Sequence, residues 1–293
     1  MISALPYTAW QPGLLGAFSG IPNEVYHDSG KGKSVSERIS KYGLSRSIAE
    51  KLILKSPAHC KEAMDNPKDP TKFMEFGTLV HCGTLEPEKL DGSYMVRPDT
   101  NPVDPEDKWH GNKKWCKNWL AIFKGTTILS VEEEKMLQGC VLALKSNLTL
   151  NGMLRTGQAE LSVFAKKDDV LLKCRPDLIA EDAQRRTWVL DIKKCQDASF
   201  FAFQNESRRV HRDFQEAWYR YVLGLAGVHV DQFVFAAVEE EPPHGVGLYR
   251  IGPTNVEAMV PKVHEAIDRW FTAVESGEWP GYHHEVQEIG WKP

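Results

Sequence analysis

The residues with the clearest chemical potential lie in one short stretch, KCRPDLIAEDAQRRTWVLDIKK, from Lys173 to Lys194. Asp177 follows Pro176, and after thirteen intervening residues come Asp191, Ile192 and Lys193. The β-formers of Val170 to Ala180 and of Thr187 to Lys193, joined by the polar turn EDAQRR, predict an antiparallel hairpin. Side chains alternate faces along a strand, so Asp191 and Lys193 share one side and Leu190 and Ile192 the other. With Asp177 near the end of the preceding strand, two carboxylates and one ammonium can converge at one point of a sheet.

Paired carboxylates at that range repel, and a hard divalent cation such as Mg²⁺ relieves the repulsion while keeping several of its waters. Such an ion can bind a phosphodiester oxygen and lower the pKa of a bound water, with Lys193 orienting that water and offsetting charge on the phosphate. The reaction class is metal-assisted phosphodiester hydrolysis. An isolated D-x-K also occurs often on exposed strands as solvated charge. Here the flanks Val189, Leu190 and Ile192 imply a strand buried around its charges, where unpaired carboxylates are costly.

The elements that must position these groups follow from periodicity. Ser45 can cap a helix with Ile48, Leu52 and Ile53 on its apolar face, ending before Pro57, and a second helix runs from Lys72 to Leu85. After the proline-rich loop RPDTNPVDPEDK come helices from Asn112 to Phe123 and from Val131 to Leu148, the latter opened by Ser130 and Glu133 as a capping box. Strands are expected at Glu160 to Ala165 and across the hairpin, then a helix from Asp213 to Leu225. Strands from Gln232 to Val238 and Gly247 to Ile251 precede a last helix from Thr254 to Ser276. This order predicts a mixed α/β sheet flanked by helices, with a helical N-terminal part. The boundaries read as a loop-rich arm over 1–40 and one domain over 41–293.

Composition bounds the partners. The 293 residues carry a net charge of −4, which argues against a protein that coats nucleic acid with its whole surface but leaves room for a local basic groove. The six cysteines, Cys60, Cys82, Cys116, Cys140, Cys174 and Cys195, form no C-x-x-C pair, against a disulfide framework or zinc ribbon. No apolar run is long enough to span a bilayer, and Met1 to Gly13 does not read as a secretory signal, so a cytoplasmic protein without membrane attachment is expected.

The sequence resembles the PD-(D/E)XK nuclease superfamily and, within it, the RecE-type exonucleases of phage and prophage recombination. PNEVYH, LSRS…SPAHC, GTLVHCGTLEPE, GQAELSVF, CRPDLI, LDIKKCQDA, FQEAWY and a late EWP stand in that family's order from about Pro22 to Pro280. The resemblance implies a restriction-endonuclease-like core, metal ligands at His81, Asp177, Asp191 and the Ile192 carbonyl, and a catalytic lysine at Lys193. Gly77, one turn before His81 on the expected helix, leaves room for a backbone or phosphate to approach. Gln215 and Tyr219 match a Q-x-x-x-Y element expected to fix the site and touch the nucleic acid backbone. Glu160 matches a family position with a support role near Lys193 or the metal, though a plain strand-end carboxylate reads nearly as well. Lys194 stands where many relatives have a small hydroxyl residue, and strand alternation sends it away from the metal site.

For nucleic acid, residues 193–212 hold Lys193, Lys194, Arg208, Arg209 and Arg212 against two acids, a basic stretch that fits a phosphate track. Ser45, Arg46 and Ser47 open a predicted helix and by resemblance read the 5′ end of a degraded strand, although Ser45 as a simple cap explains the same letters. Trp109, Trp115, Trp119 and Phe123 could stack bases, but the helical spacing of Trp115, Trp119 and Ile122 favours core packing. His283 and His284 have no partner set at ligand spacing.

The activity implied is a Mg²⁺-dependent exonuclease, with Mn²⁺ as a substitute, that degrades one strand of duplex DNA 5′ to 3′ and leaves 3′ overhangs. The implied partners are double-stranded DNA ends, a single-strand annealing protein and further copies of the chain in a ring-shaped homo-oligomer. The alternatives are another nuclease of the same fold, endonucleolytic or helicase-associated, and a catalytically silent DNA-binding module.

Overall fold

Strand β10 (Thr187–Cys195) is buried on both faces, and the rest of the architecture follows from how each face is covered. The computed structural model describes residues 2–28, 34, 37, 41–282 and 285–288. Among these, one five-stranded sheet has the order β12 (Val246–Tyr249), β11 (Gln232–Glu239), β10, β9 (Leu178–Glu181), β6 (Gln158–Ala159). It is mixed: β10 runs parallel to β11, Asp191 opposite Phe235, and antiparallel to β9, Leu190 opposite Leu178. A second sheet has the order β1 (Ala4–Pro6), β2 (Gly16–Ser19), β7 (Ser162–Lys167), β8 (Val170–Cys174), β3 (Leu44–Ser45), and β4 (Tyr94–Val96) pairs with β5 (Thr127–Leu129).

Alternation along β10 sends Val189 and Cys195 into a core with helices α2 (Arg46–Leu54), α9 (Arg212–Leu225) and α10 (Pro253–Ser276). Leu190 and Ile192 enter a second core with α4 (Lys72–Leu85) and α6 (Val131–Ser146). A parallel neighbour requires a crossover, supplied here by α8 (Phe200–Arg209) and α9. Trp218 of α9 is fully buried, and its indole N–H donates to the Lys173 carbonyl at 3.1 Å, tying α9 to the end of β8. Ser130 and Glu133 form the expected capping box at the start of α6. The remaining helices are α1 (Asn23–His27), α3 (Pro57–Asp65), α5 (Lys114–Ile122) and α7 (Leu148–Thr156). No described helix is long and apolar enough to cross a membrane.

Several expectations change. The stretch from Val170 to Ala180 is two strands, because Pro176 supplies no N–H to a ladder and the chain leaves one sheet for the other there. The arm before residue 41 contributes β1 and β2 to a sheet and packs Phe18, Ile21 and Tyr26 on Phe164 and Leu171. Helix α8 has no counterpart in the sequence reading, since FFAFQNESRR lacks a clear apolar stripe and leaves Phe200 and Phe201 exposed. Ser45 occupies the N-cap of α2 without bonding a backbone N–H; its hydroxyl lies 3.2 Å from that of Ser47. The tryptophans of α5, Trp115 and Trp119, pack edge-on against Trp109 of the preceding loop, joining none of the three apolar cores, and Ile122 is exposed.

Candidate active site

The site forms where the chain passes between the two sheets. Asp177 sits between β8 and β9, and Glu160 between β6 and β7, at two such crossings. The Glu160 backbone takes a left-handed conformation (φ 52°), rare for a residue with a side chain, and its N–H donates to the Asp177 carbonyl at 3.0 Å. His81 reaches over from α4. Ligand atoms of His81, Glu160 and Asp177 lie within 4.8 Å of one another, the one such group among the described residues able to hold a metal ion.

Backbone groups of β10 complete this arrangement. The Ile192 N–H donates to Asp177 Oδ2 at 2.6 Å, and the Ile192 carbonyl lies 2.9 Å from His81 Nε2, whose other ring nitrogen is 3.4 Å from Asp177. Asp191, almost fully buried, is ion-paired with Lys193 and accepts a hydrogen bond from the Gln215 amide of α9. His81, Asp177 and the Ile192 carbonyl therefore converge as the resemblance implies. Glu160 completes the group close enough to share an ion, whereas Asp191 stands beside it, held by Lys193 and Gln215. A Cβ at Gly77 would meet nothing within 4 Å, so the helix beside His81 leaves open space.

The electrostatics of the group favour a positive charge among its carboxylates. Burial, then the Asp177 carboxylate, pushes Glu160 up to about 7. Burial disfavours charge on His81, but Asp177 outweighs it and lifts the imidazole to about 9. Burial likewise opposes ionisation of Asp177, yet His81, Lys193 and the Ile192 N–H hold it below the ordinary carboxylate range. Asp191 is raised, by burial first and by Asp177 after it, against the pull of Lys193. One imidazole nitrogen, two carboxylates and a carbonyl suit a hard or borderline divalent ion.

Tyr219 and Arg175 brace the site from behind. The Tyr219 hydroxyl donates to the Arg175 carbonyl at 3.2 Å, two residues before Asp177. The Arg175 guanidinium donates to Ser162, Asn23 and the Ile21 carbonyl and stacks 3.9 Å from the Tyr26 ring centroid, bolting the N-terminal segment to the site. No sequence signal singled out Arg175; only its two-residue distance from Asp177 could have suggested it.

The expected phosphate track is reduced. Lys194 is buried, paired with Glu240, with its ammonium 3.5 Å from the Phe73 ring centroid. Arg212 is buried, donates to Glu206 at 3.0 Å and lies 4.7 Å from the Phe203 ring centroid. Arg46 is half-buried, donates to the carbonyls of Val210 and His211 and pairs with Glu50, so it clamps the α8–α9 turn. Ser45 is half-buried, whereas Ser47, Arg208 and Arg209 are exposed. His283 and His284 lie outside the described residues.

Comparison with known proteins agrees with this architecture. A solved structure from Eubacterium rectale, described as a "putative exonuclease", superposes with a TM-score of 0.60 over 93% of this chain and 96% of that one, at 12% identity, which establishes a shared fold. SSO0001 aligns over 77% of this chain and 75% of that one at 12% identity, but its TM-score of 0.33 carries no argument. No curated protein matches the sequence. Residues 47–289, most of the chain, match the family model described as PDDEXK-like domain of unknown function (DUF3799), and the protein belongs to that family.

Proposed function

We propose that this protein is a divalent-metal-dependent nuclease and, more specifically, an exonuclease of double-stranded DNA that removes one strand 5′ to 3′ and leaves 3′ single-stranded overhangs. The observation that carries this reading is the meeting of His81, Glu160 and Asp177 at a sheet crossing, with the Asp191–Lys193 pair alongside. His81, Glu160, Asp177 and the Ile192 carbonyl would hold the ion. Mg²⁺, or Mn²⁺ in its place, supplies Lewis acidity at a phosphodiester oxygen and lowers the pKa of a bound water when present.

The residues of this chain do the rest. The Ile192 N–H fixes the Asp177 carboxylate, and the Gln215 amide fixes that of Asp191. Lys193, whose side chain is 25% exposed and whose ammonium pairs with Asp191, would orient the attacking water and offset charge on the phosphate. Burial of both aspartates sharpens these interactions by excluding solvent.

The description of the Eubacterium rectale neighbour supports the exonuclease reading over other nucleases of this fold. Strand polarity, the ring-shaped homo-oligomer and an annealing protein acting on the exposed strand follow from the RecE-type resemblance. The test is a time course on linear duplexes labelled at 5′ or 3′ ends, with Mg²⁺ and with chelator, beside closed circular DNA. Early loss of 5′ label with circles spared is the expected result. Cutting of circles would replace it with an endonuclease, and absence of Mg²⁺-dependent release with a silent binding module.

A further inference from the structure

Between β4 and β5 the chain makes an excursion whose charges are segregated. Its acids, Asp99, Asp104, Glu106 and Asp107, come first. From Lys108 to Lys124 there are five lysines and a histidine, and no acidic residue at all, in a chain whose net charge is −4. Lys113 is occupied by Asp107 and the Lys108 carbonyl. Lys108, Lys114, Lys117 and Lys124 are exposed, and none has an ion-pair partner among the described residues.

A second feature explains why these lysines stay outside. Trp109 packs edge-on against Trp115 and Trp119 at 5.1 and 5.6 Å, Trp119 lies 4.5 Å from Phe123, and Arg97 lies 5.2 Å from the Trp109 ring centroid. This aromatic cluster is separate from the three apolar cores. Helical geometry puts Trp115 and Trp119 on one side of α5 and Lys114 and Lys117, one turn apart, on the other, and Lys124 lies exposed in the turn that follows. Aromatic packing orients α5 and leaves a row of ammonium groups facing solvent. The excursion leaves from β4 and returns through β5, whose Tyr94 and Leu129 pack in the same core as Phe76, Leu79 and Val80 of α4, the helix that carries His81.

We propose that α5 and its flanks form a grip for the backbone of duplex DNA, holding the substrate beside the site without reading its sequence. The proposal rests on the nuclease reading for the identity of the ligand. Lysines act on phosphates as point charges, which suits sequence-independent contact along a regular polyanion. An acidic chain that acts on DNA must concentrate its attraction locally, and this is a run of unpaired cations on an excursion whose two ends join the core that also holds α4.

The test is fluorescence anisotropy of a labelled blunt duplex with the full chain in EDTA, across a salt series, for wild type and for Lys114→Gln/Lys117→Gln/Lys124→Gln. Each lost phosphate contact removes about 0.9 from the slope of log affinity against log salt, so a decrease of about 2 to 3 is expected, with at least a roughly tenfold loss of affinity near 0.1 M salt. The corresponding Lys→Arg triple variant should bind like wild type, which separates charge from helix integrity. Unchanged affinity and slope in the Gln variant would overturn the proposal. So would equally tight, equally lysine-dependent binding to phosphatidylserine vesicles or to polyglutamate. Because these measurements need no hydrolysis, a protein that binds DNA through these lysines but releases no nucleotides with Mg²⁺ would sink the nuclease reading and leave the grip standing.

Discussion

Lys193 and Lys194 are neighbours in the chain and stand on opposite faces of β10. Lys193 belongs to the face that carries Asp191 toward α9; its side chain is 25% exposed and its ammonium pairs with a carboxylate that is itself buried. Lys194 faces α4; its side chain is 3% exposed, its ammonium is closed in by Phe73 and Phe76, and Glu240 neutralises it. The same residue type on the same strand thus borders the candidate site on one face and holds α4 to the sheet on the other. What separates the two is access to solvent and substrate, since each has a carboxylate partner.

This contrast yields measurable differences. The largest effect is expected on the Asp191 face: Asp191→Ala should abolish hydrolysis while duplex binding persists, and Lys193→Ala, which leaves the buried Asp191 carboxylate unpaired, should lower the rate per folded molecule at least about a hundredfold as well as the melting temperature. Near wild-type release of acid-soluble nucleotides by either variant would contradict the assignment. Lys194→Ala should lower stability alone. Leaving Glu240 without its partner should cost about 3 to 5 kcal/mol in denaturant unfolding, with the rate per folded molecule unchanged, and Lys194→Met with Glu240→Leu should recover most of the loss. A drop in rate without a drop in stability would place Lys194 in the site after all.

Smaller effects probe the support around the aspartates. Gln215→Ala, which frees Asp191, should reduce metal affinity or turnover about 10- to 100-fold and leave duplex affinity intact. Metal affinity should also depend on pH. With His81 raised to about 9 and Glu160 to about 7, both protons oppose ligation below pH 7 and only that of His81 between 7 and 9. Mn²⁺ affinity by titration calorimetry should therefore rise from pH 6 to pH 9, with proton release on binding. A flat profile would mean that these two groups do not ligate the ion.

Much of this was legible because it depends on local pattern. The β9–β10 hairpin follows from β-formers around EDAQRR, and the opposed facing of Lys193 and Lys194 follows from alternation alone. Helix α4 matches its expected limits, since Thr71 caps it and Pro87 lies just beyond its end. Lys194 and Arg212 belong by sequence to a phosphate track but are buried, because a charged letter in a basic run does not reveal that phenyl rings and a glutamate close over it. The tryptophans of α5 were misread as core because spacing tells which residues share a side, but not what lies opposite.

The sequence by itself determined which residues could meet across one hairpin, because adjacent antiparallel strands are joined by a few residues and the pleat fixes their facing. Only the tertiary structure decided that Glu160 joins His81 and Asp177 while Asp191 is held to one side. These residues come from separate elements, α4 and two crossings between sheets, and their approach depends on how two sheets and a helix pack around shared apolar cores. Burial follows the same division: alternation says that a side chain leaves the strand on a given face, and the elements stacked on that face decide whether it meets water, a carboxylate or an aromatic ring.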